Sequence, residues 1–250
     1  MNAQATDTLS ERDLALCRSA CWEALALGFR PPEPDAVRRL TSGAAGLVLA
    51  AGAVDPTLAA LVRALARTDS RPDTLAAAHL RLFGHTARSE APPYETEYGA
   101  DDLFRQPQEL ADVSGFYAAF GLVPAPGSHE RPDHVSCECE FMLVLARKEA
   151  WALEHGETGM LAHTRDAYRT FLRDHLARFV PSLRERLRRH DARGFYGRLG
   201  DLAGAMVRGE CRRLDVRADC ASLALRVPLD DTVPAACGSC PHAPGAAGAD

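Results

Sequence analysis

Chemistry in this chain concentrates where carboxylates and an imidazole crowd one short segment, Glu130-Arg131-Pro132-Asp133-His134, just before an apolar-periodic run from Val135 to Trp151. Pro132 and Asp133 read as a helix start: proline tolerates a helix entry, and an aspartate side chain can accept from the first free amides. A helix beginning at Asp133 puts His134 and Glu138 on one face, four residues apart, with Glu130 held nearby by the preceding loop. Two or three carboxylates and an imidazole at one helix mouth suit a cationic or hydrogen-bond-donating ligand better than covalent chemistry. Ser136 and Cys137, the nearest nucleophiles, are expected to point to faces other than that of His134.

A second group lies in Pro93-Tyr94-Glu95-Thr96-Glu97-Tyr98-Gly99, where two aromatics and two carboxylates fall within five residues. It reads either as a surface loop pinned by tyrosine packing or as an acidic, aromatic-lined recognition surface. In the second reading Glu95 and Glu97 attract a cation and Tyr94 and Tyr98 supply contact area. A third group, Cys237-Gly-Ser-Cys240-Pro-His242, is a CxxC with a nearby histidine. Four ligands make a structural zinc or iron–sulfur site, so Cys237, Cys240 and His242 would need Cys211 or Cys220 to complete one. The alternative is a reduced pair in a flexible tail.

The elements that must position these groups are helical. Ser10-x-x-Asp13 resembles a capping box and opens a helix with Leu14, Cys17, Cys21 and Leu25 on its apolar face. Short helices are expected after Pro56 and Pro72, and Val113, Phe116, Tyr117 and Phe120 form a stripe ending at Gly121. Leu161 to Phe179 predicts a long helix ending before Pro181, and Phe195 to Met206 predicts another. Nothing alternates with period two for long; Leu223 to Val227 is a weak strand candidate. The fold class is all-α, a single compact multi-helix domain over residues 10–208, with an irregular tail over 209–250 whose end is expected to be disordered. The loops 84–102 and 124–132 are long enough to suggest function.

Composition narrows the function. A net charge of −5 with both signs interspersed argues against nucleic acid as a partner. The arginine-rich stretch 184–193 reads as a solvated helix face. No segment has the roughly 20 apolar residues of a membrane span, and residues 1–11 do not form a secretory signal, so a cytoplasmic chain with reduced cysteines is expected. Phosphate-loop, nucleotide-fold and nucleophile-elbow motifs are missing from the sequence, as are Glu-x-x-His and His-Glu-x-x-His. An enzymatic role is not expected.

Leu80-Arg81-Leu82-Phe83, the 93–99 loop and the Glu-x-Pro-Asp-His element together resemble the TorD/DmsD/NarJ group of redox-enzyme maturation chaperones. The resemblance runs from about Leu14 to about Met206. Its motif form is most similar to the chaperones of dimethylsulfide-, ethylbenzene-, selenate- or chlorate-type enzymes. It implies a non-catalytic protein that binds the twin-arginine signal peptide or the apo catalytic subunit of a molybdoenzyme. Such a chaperone holds its client until the molybdopterin cofactor is inserted and then releases it to the Tat pathway. Matched by position, Glu130, Pro132, Asp133 and His134 correspond to the family's peptide-binding motif, with Tyr94, Glu95 and Tyr98 in a second loop. No cofactor is required; contact with molybdopterin guanine dinucleotide or GTP is left open by the family. The alternative is a small metal- or iron–sulfur-binding protein built on the tail cysteines.

Overall fold

In the computed structural model, residues 9–84, 89–99, 105–123, 130–217 and 223–226 are described. The element order is α1 (Glu11–Phe29), α2 (Pro34–Ser42), α3 (Ala44–Val54), α4 (Pro56–Leu65), α5 (Pro72–Phe83), a 3-10 turn (Glu95–Glu97), α6 (Arg105–Ala119), α7 (Val135–His155), α8 (Thr158–Phe171), a π-helical turn (Leu172–Leu176), α9 (Ala177–Asp191) and α10 (Phe195–Arg213). The all-α expectation holds. Among the described residues the only β-type pairings are two isolated antiparallel bridges, Tyr94 with His134 and Tyr98 with Leu225.

Capping fixes the start of α1: the Ser10 hydroxyl accepts from Asp13 N at 3.1 Å and donates to the Asp13 carboxylate at 2.7 Å. The apolar face of α1 lies along α7, and α3 and α10 also pack on α1. Trp22, Leu25 and Phe29 of α1 join Met142 and Leu145 of α7 in a core that excludes water. Each such side chain contributes about 1.5–3 kcal/mol when removed from water. Trp22 Nε1 donates to the Tyr168 hydroxyl at 2.7 Å, which satisfies the buried indole.

One expectation is corrected. The long helix does not stop before Pro181; α8, the π turn and α9 run on from Thr158 to Asp191 with Pro181 inside α9. Proline has no N–H for the carbonyl one turn back. The π turn just upstream widens the helical ladder, and Pro181 follows within α9's first turns. The glycine-containing segment 44–54 forms α3, packed against α1 and α4.

Charge also enters the core. Arg18 of α1 donates to Glu149 of α7 at 3.0 Å and lies 3.9 Å from Glu210 of α10. Arg165 of α8 reaches Glu149 at 2.8 Å. Removing Arg18 takes one cationic partner from each of two buried carboxylates, Glu149 keeping Arg165 and Glu210 keeping Arg213. Arg18→Ala is expected to lower the unfolding free energy by about 1.5–3 kcal/mol. The exposed pair Arg38–Asp35 should cost less than about 1 kcal/mol when broken. Urea unfolding of the two variants checks this; equal losses would contradict it.

Candidate functional site

The two acidic loops meet. Glu95 N donates to Asp133 O at 2.9 Å and Val135 N to Pro93 O at 2.8 Å, so residues 93–95 and 133–135 pair as two short extended segments. That pairing keeps His134 extended, and α7 begins at Val135 with His134 as its N-cap. The sequence expectation of a helix starting at Asp133 is therefore corrected. His134 Nδ1 accepts from Ser136 N at 3.1 Å and lies 2.7 Å from Ser136 Oγ. Ser136 and His134 thus touch, because an extended cap folds its side chain over the first turn. Both are buried and are used in capping.

Asp133 is fully buried and turns back toward the other loop. Its Oδ2 accepts from Thr96 N at 3.2 Å and from Thr96 Oγ1 at 2.8 Å. The Arg131 guanidinium grips the same carboxylate with two bonds, Nε to Oδ1 at 3.0 Å and Nη2 to Oδ2 at 2.8 Å. The guanidinium carbon sits 4.5 Å from the centre of the Tyr94 ring, and Nη1 lies 3.6 Å from Glu97. Tyr94 is held in turn by its hydroxyl, which donates to Glu130 Oε1 at 2.8 Å. Tyr117 of α6 donates to Pro132 O and Tyr98 to Pro92 O, both at 2.8 Å. Tyr117 thus pins the motif to α6, and the Tyr98 bond closes the second loop on itself.

The nine residues expected to bind a peptide divide by exposure. Glu130 and Glu97 reach solvent and Tyr94 is partly covered, whereas Glu95, Tyr98, Asp133, His134 and Glu138 are buried and Pro132 is nearly so. Beneath the clasp Glu95 meets His175 Nδ1 at 2.9 Å, from the π turn, and lies 3.7 Å from Arg178. His175 Nε2 faces Asp112 of α6 at 3.4 Å. Neither oxygen of Glu138 has a hydrogen-bond partner among the described residues. Burial, then the nearby charges of Glu95 and Asp133, drive its carboxyl well above the usual range. Burial likewise raises Glu95, against the pull of His175 and Arg178. Burial pushes the His134 imidazole down to about 4, with Glu130 pulling the other way.

Sequence reasoning missed Arg131, Thr96, His175 and Arg178 as site components. For Arg131 a signal existed, since it stands inside the acidic motif. For the other three, only long-range packing brings them in. Among the described residues no three His, Cys, Asp or Glu side chains are grouped to hold a metal ion. Cys237, Cys240 and His242 lie outside the described residues, whereas Cys17, Cys21, Cys137, Cys139 and Cys211 are free thiols. Beside the clasp, α6, α7 and α8 enclose a mostly apolar groove of about 540 Å³, lined by Phe116, Phe120, Lys148, Met160, Ala167 and Thr170 among others.

The model of the nitrate reductase delta subunit family matches residues 50–185, more than half of the chain. The chain belongs to this family, the TorD/NarJ chaperone group. It is 31% identical over 198 residues to the chlorate reductase assembly chaperone protein of Ideonella dechloratans, covering 76% of this chain and 86% of the relative. The selenate reductase assembly chaperone protein of Thauera selenatis is 29% identical over 195 residues, 78% of this chain and 88% of the relative. The chaperone protein TorD of Vibrio cholerae El Tor Inaba N16961 is 30% identical over 160 residues, 62% of this chain and 70% of the relative. Two of these relatives are named as reductase assembly chaperones and the third as a chaperone, in line with a non-enzymatic role.

The site's protonation has a measurable sign. Unfolded His134 takes a proton near 6.5 and the folded one only near 4, so stability is present above the unfolded value and lost as pH falls between them. His134→Asn keeps a capping side chain and removes this titration. The wild type is expected to lose on the order of 3 kcal/mol more than His134→Asn between pH 7 and 4. Chemical denaturation across that range checks it; parallel curves would contradict the burial of a neutral imidazole. Glu138 has the opposite sign. Its contribution is present below about 4.5 and lost as pH rises, so Glu138→Gln should flatten the alkaline fall.

Proposed function

We propose that this chain is a cytoplasmic assembly chaperone for a molybdenum oxidoreductase that binds the twin-arginine leader of the apo catalytic subunit. It would keep the subunit from export until the molybdopterin cofactor, cargo for the client and not a resident group here, is in place. The class follows from family membership and from the names of the relatives. The observation that carries the peptide-binding part is the clasp itself: a guanidinium held over the Tyr94 ring and doubly bonded to Asp133, with Glu97 and Glu130 at its solvent edge. Stacking surface plus forked acceptor is what arginine offers a match for and lysine does not.

The apolar groove supports the same reading. Twin-arginine signals carry an apolar stretch after the arginines, and the groove is walled by α6, which Tyr117 ties directly to the motif. A leader that orders on binding loses conformational entropy, which favours moderate, releasable affinity. Asp133 is the buried acceptor that holds the clasp together, and Glu130 is a contact at its solvent edge.

Calorimetry with a twin-arginine leader peptide separates these roles. Glu130→Ala and Glu97→Ala are expected to weaken binding by about 3–10-fold with unchanged unfolding temperature, more at low salt than at high salt. Asp133→Ala should instead lose about 3 kcal/mol or more of stability, since Thr96 and Arg131 lose a buried acceptor. Met160→Asp, in the groove, should weaken binding of the whole leader while leaving the selectivity for arginine over lysine intact. Undiminished affinity in both glutamate variants would remove the clasp from the account.

A further inference from the structure

We infer that Arg131 is a built-in competitor: its guanidinium occupies the seat that a client's arginine must take, so it sets the affinity of the site and helps release the client. For the identity of the displacing ligand this rests on the twin-arginine reading above; the seat itself does not.

The seat is complete without a partner. Arg131 satisfies the Asp133 carboxylate with the two parallel bonds of a forked guanidinium, and Nη2 also meets Thr96 Oγ1. Its flat face lies 4.5 Å from the Tyr94 ring centre, and Nη1 turns toward Glu97 at 3.6 Å. Tyr94 is aligned for this by Glu130 and by an edge contact to the His134 ring, centroids 5.2 Å apart. An ammonium ion could satisfy the charge but neither the fork nor the stack.

Arg131 can leave without opening the clasp. Its side chain is 41% exposed, while the carboxylate it grips is wholly covered. With the arginine gone, Asp133 still accepts twice from Thr96, and the backbone bonds from Glu95 N and Val135 N still join the two loops. An arginine with this mixture of a buried acceptor and an open flank is exchangeable. An internal occupant lowers the apparent affinity for an external one by the fraction of time the seat is empty. The motif would thereby bind a leader firmly enough to hold it and weakly enough to hand it on.

The test uses the full chain with Arg131→Ala, and Arg131→Gln as a milder variant should the first fold poorly. Thermal unfolding is followed with methylguanidinium, and with methylammonium at the same ionic strength. Loss of Arg131 is expected to lower the unfolding temperature, methylguanidinium to restore most of the loss, and methylammonium to restore little; the wild type should respond equally to both. Calorimetry is then expected to show a twin-arginine leader peptide binding the variant about tenfold more tightly than the wild type, with a twin-lysine peptide little changed. No selective recovery by methylguanidinium would overturn the seat. Selective recovery with unchanged or weaker twin-arginine binding would overturn the competition. Selective recovery with no peptide binding by either protein would support the seat and overturn the signal-peptide reading.

Discussion

The Asp133 carboxylate is the contact on which the site depends. It is fully buried, yet it is met by a backbone amide, a hydroxyl and a forked guanidinium, so its charge is compensated from two loops that are 37 residues apart in the chain. A buried carboxylate stripped of all these partners would be costly, whereas loss of Arg131 alone leaves both Thr96 donors in place. Once the loops are joined there, the chain through His134 is extended, α7 can start only at Val135, and the imidazole becomes its cap.

Below that contact the same constraint generates an unusual stratum of acid. Glu95 and Glu138 lie beneath the clasp, the first matched by His175 from a π-helical turn, the second with no hydrogen-bond partner among the described residues. The π turn aims His175 inward between α6 and the 93–99 loop, where Phe116 and Phe171 flank its ring. Above the contact, Glu97, Glu130 and the open flank of Arg131 face solvent. Support and recognition are thus stacked: the deeper buried groups hold the geometry, and the Asp133 seat with its exposed rim meets the client.

Much of the scaffold is legible in the sequence because it follows from local rules. Ser10 and Asp13 mark a helix start, and Val113–Phe120 marks a face packed on the core. Of the α1 stripe Cys21 and Leu25 are buried, while Leu14 and Cys17 are half-buried because the buried face runs through Ala15, Arg18 and Trp22. The motif loops are legible as acidic and aromatic. Their burial is not, because a carboxylate such as Glu95 or Asp133 is exposed by default and only a distant His175 or Thr96 makes its burial tolerable. The cap at His134 eluded local reasoning for the same reason: pairing with residues 93–95 decides where α7 begins. Pro181 inside a helix is a further case, since residue periodicity does not register a widened turn upstream. Residues 223–226, the described part of the weak strand candidate, make one bridge to Tyr98 and two backbone bonds to the same loop, to Glu97 and from Gly99.

The central claim is that the 93–99 and 130–135 loops form the docking mouth for an arginine-bearing leader, with the α6–α8 groove beside it. Amide hydrogen exchange on the full chain, with and without a twin-arginine leader peptide, tests it most directly. The account predicts slowed exchange in residues 94–98, 130–138 and the facing turns of α6 and α8, and little change in α2 to α4. Slowed exchange confined to α2–α4 or α10, with both loops unaffected, would contradict it.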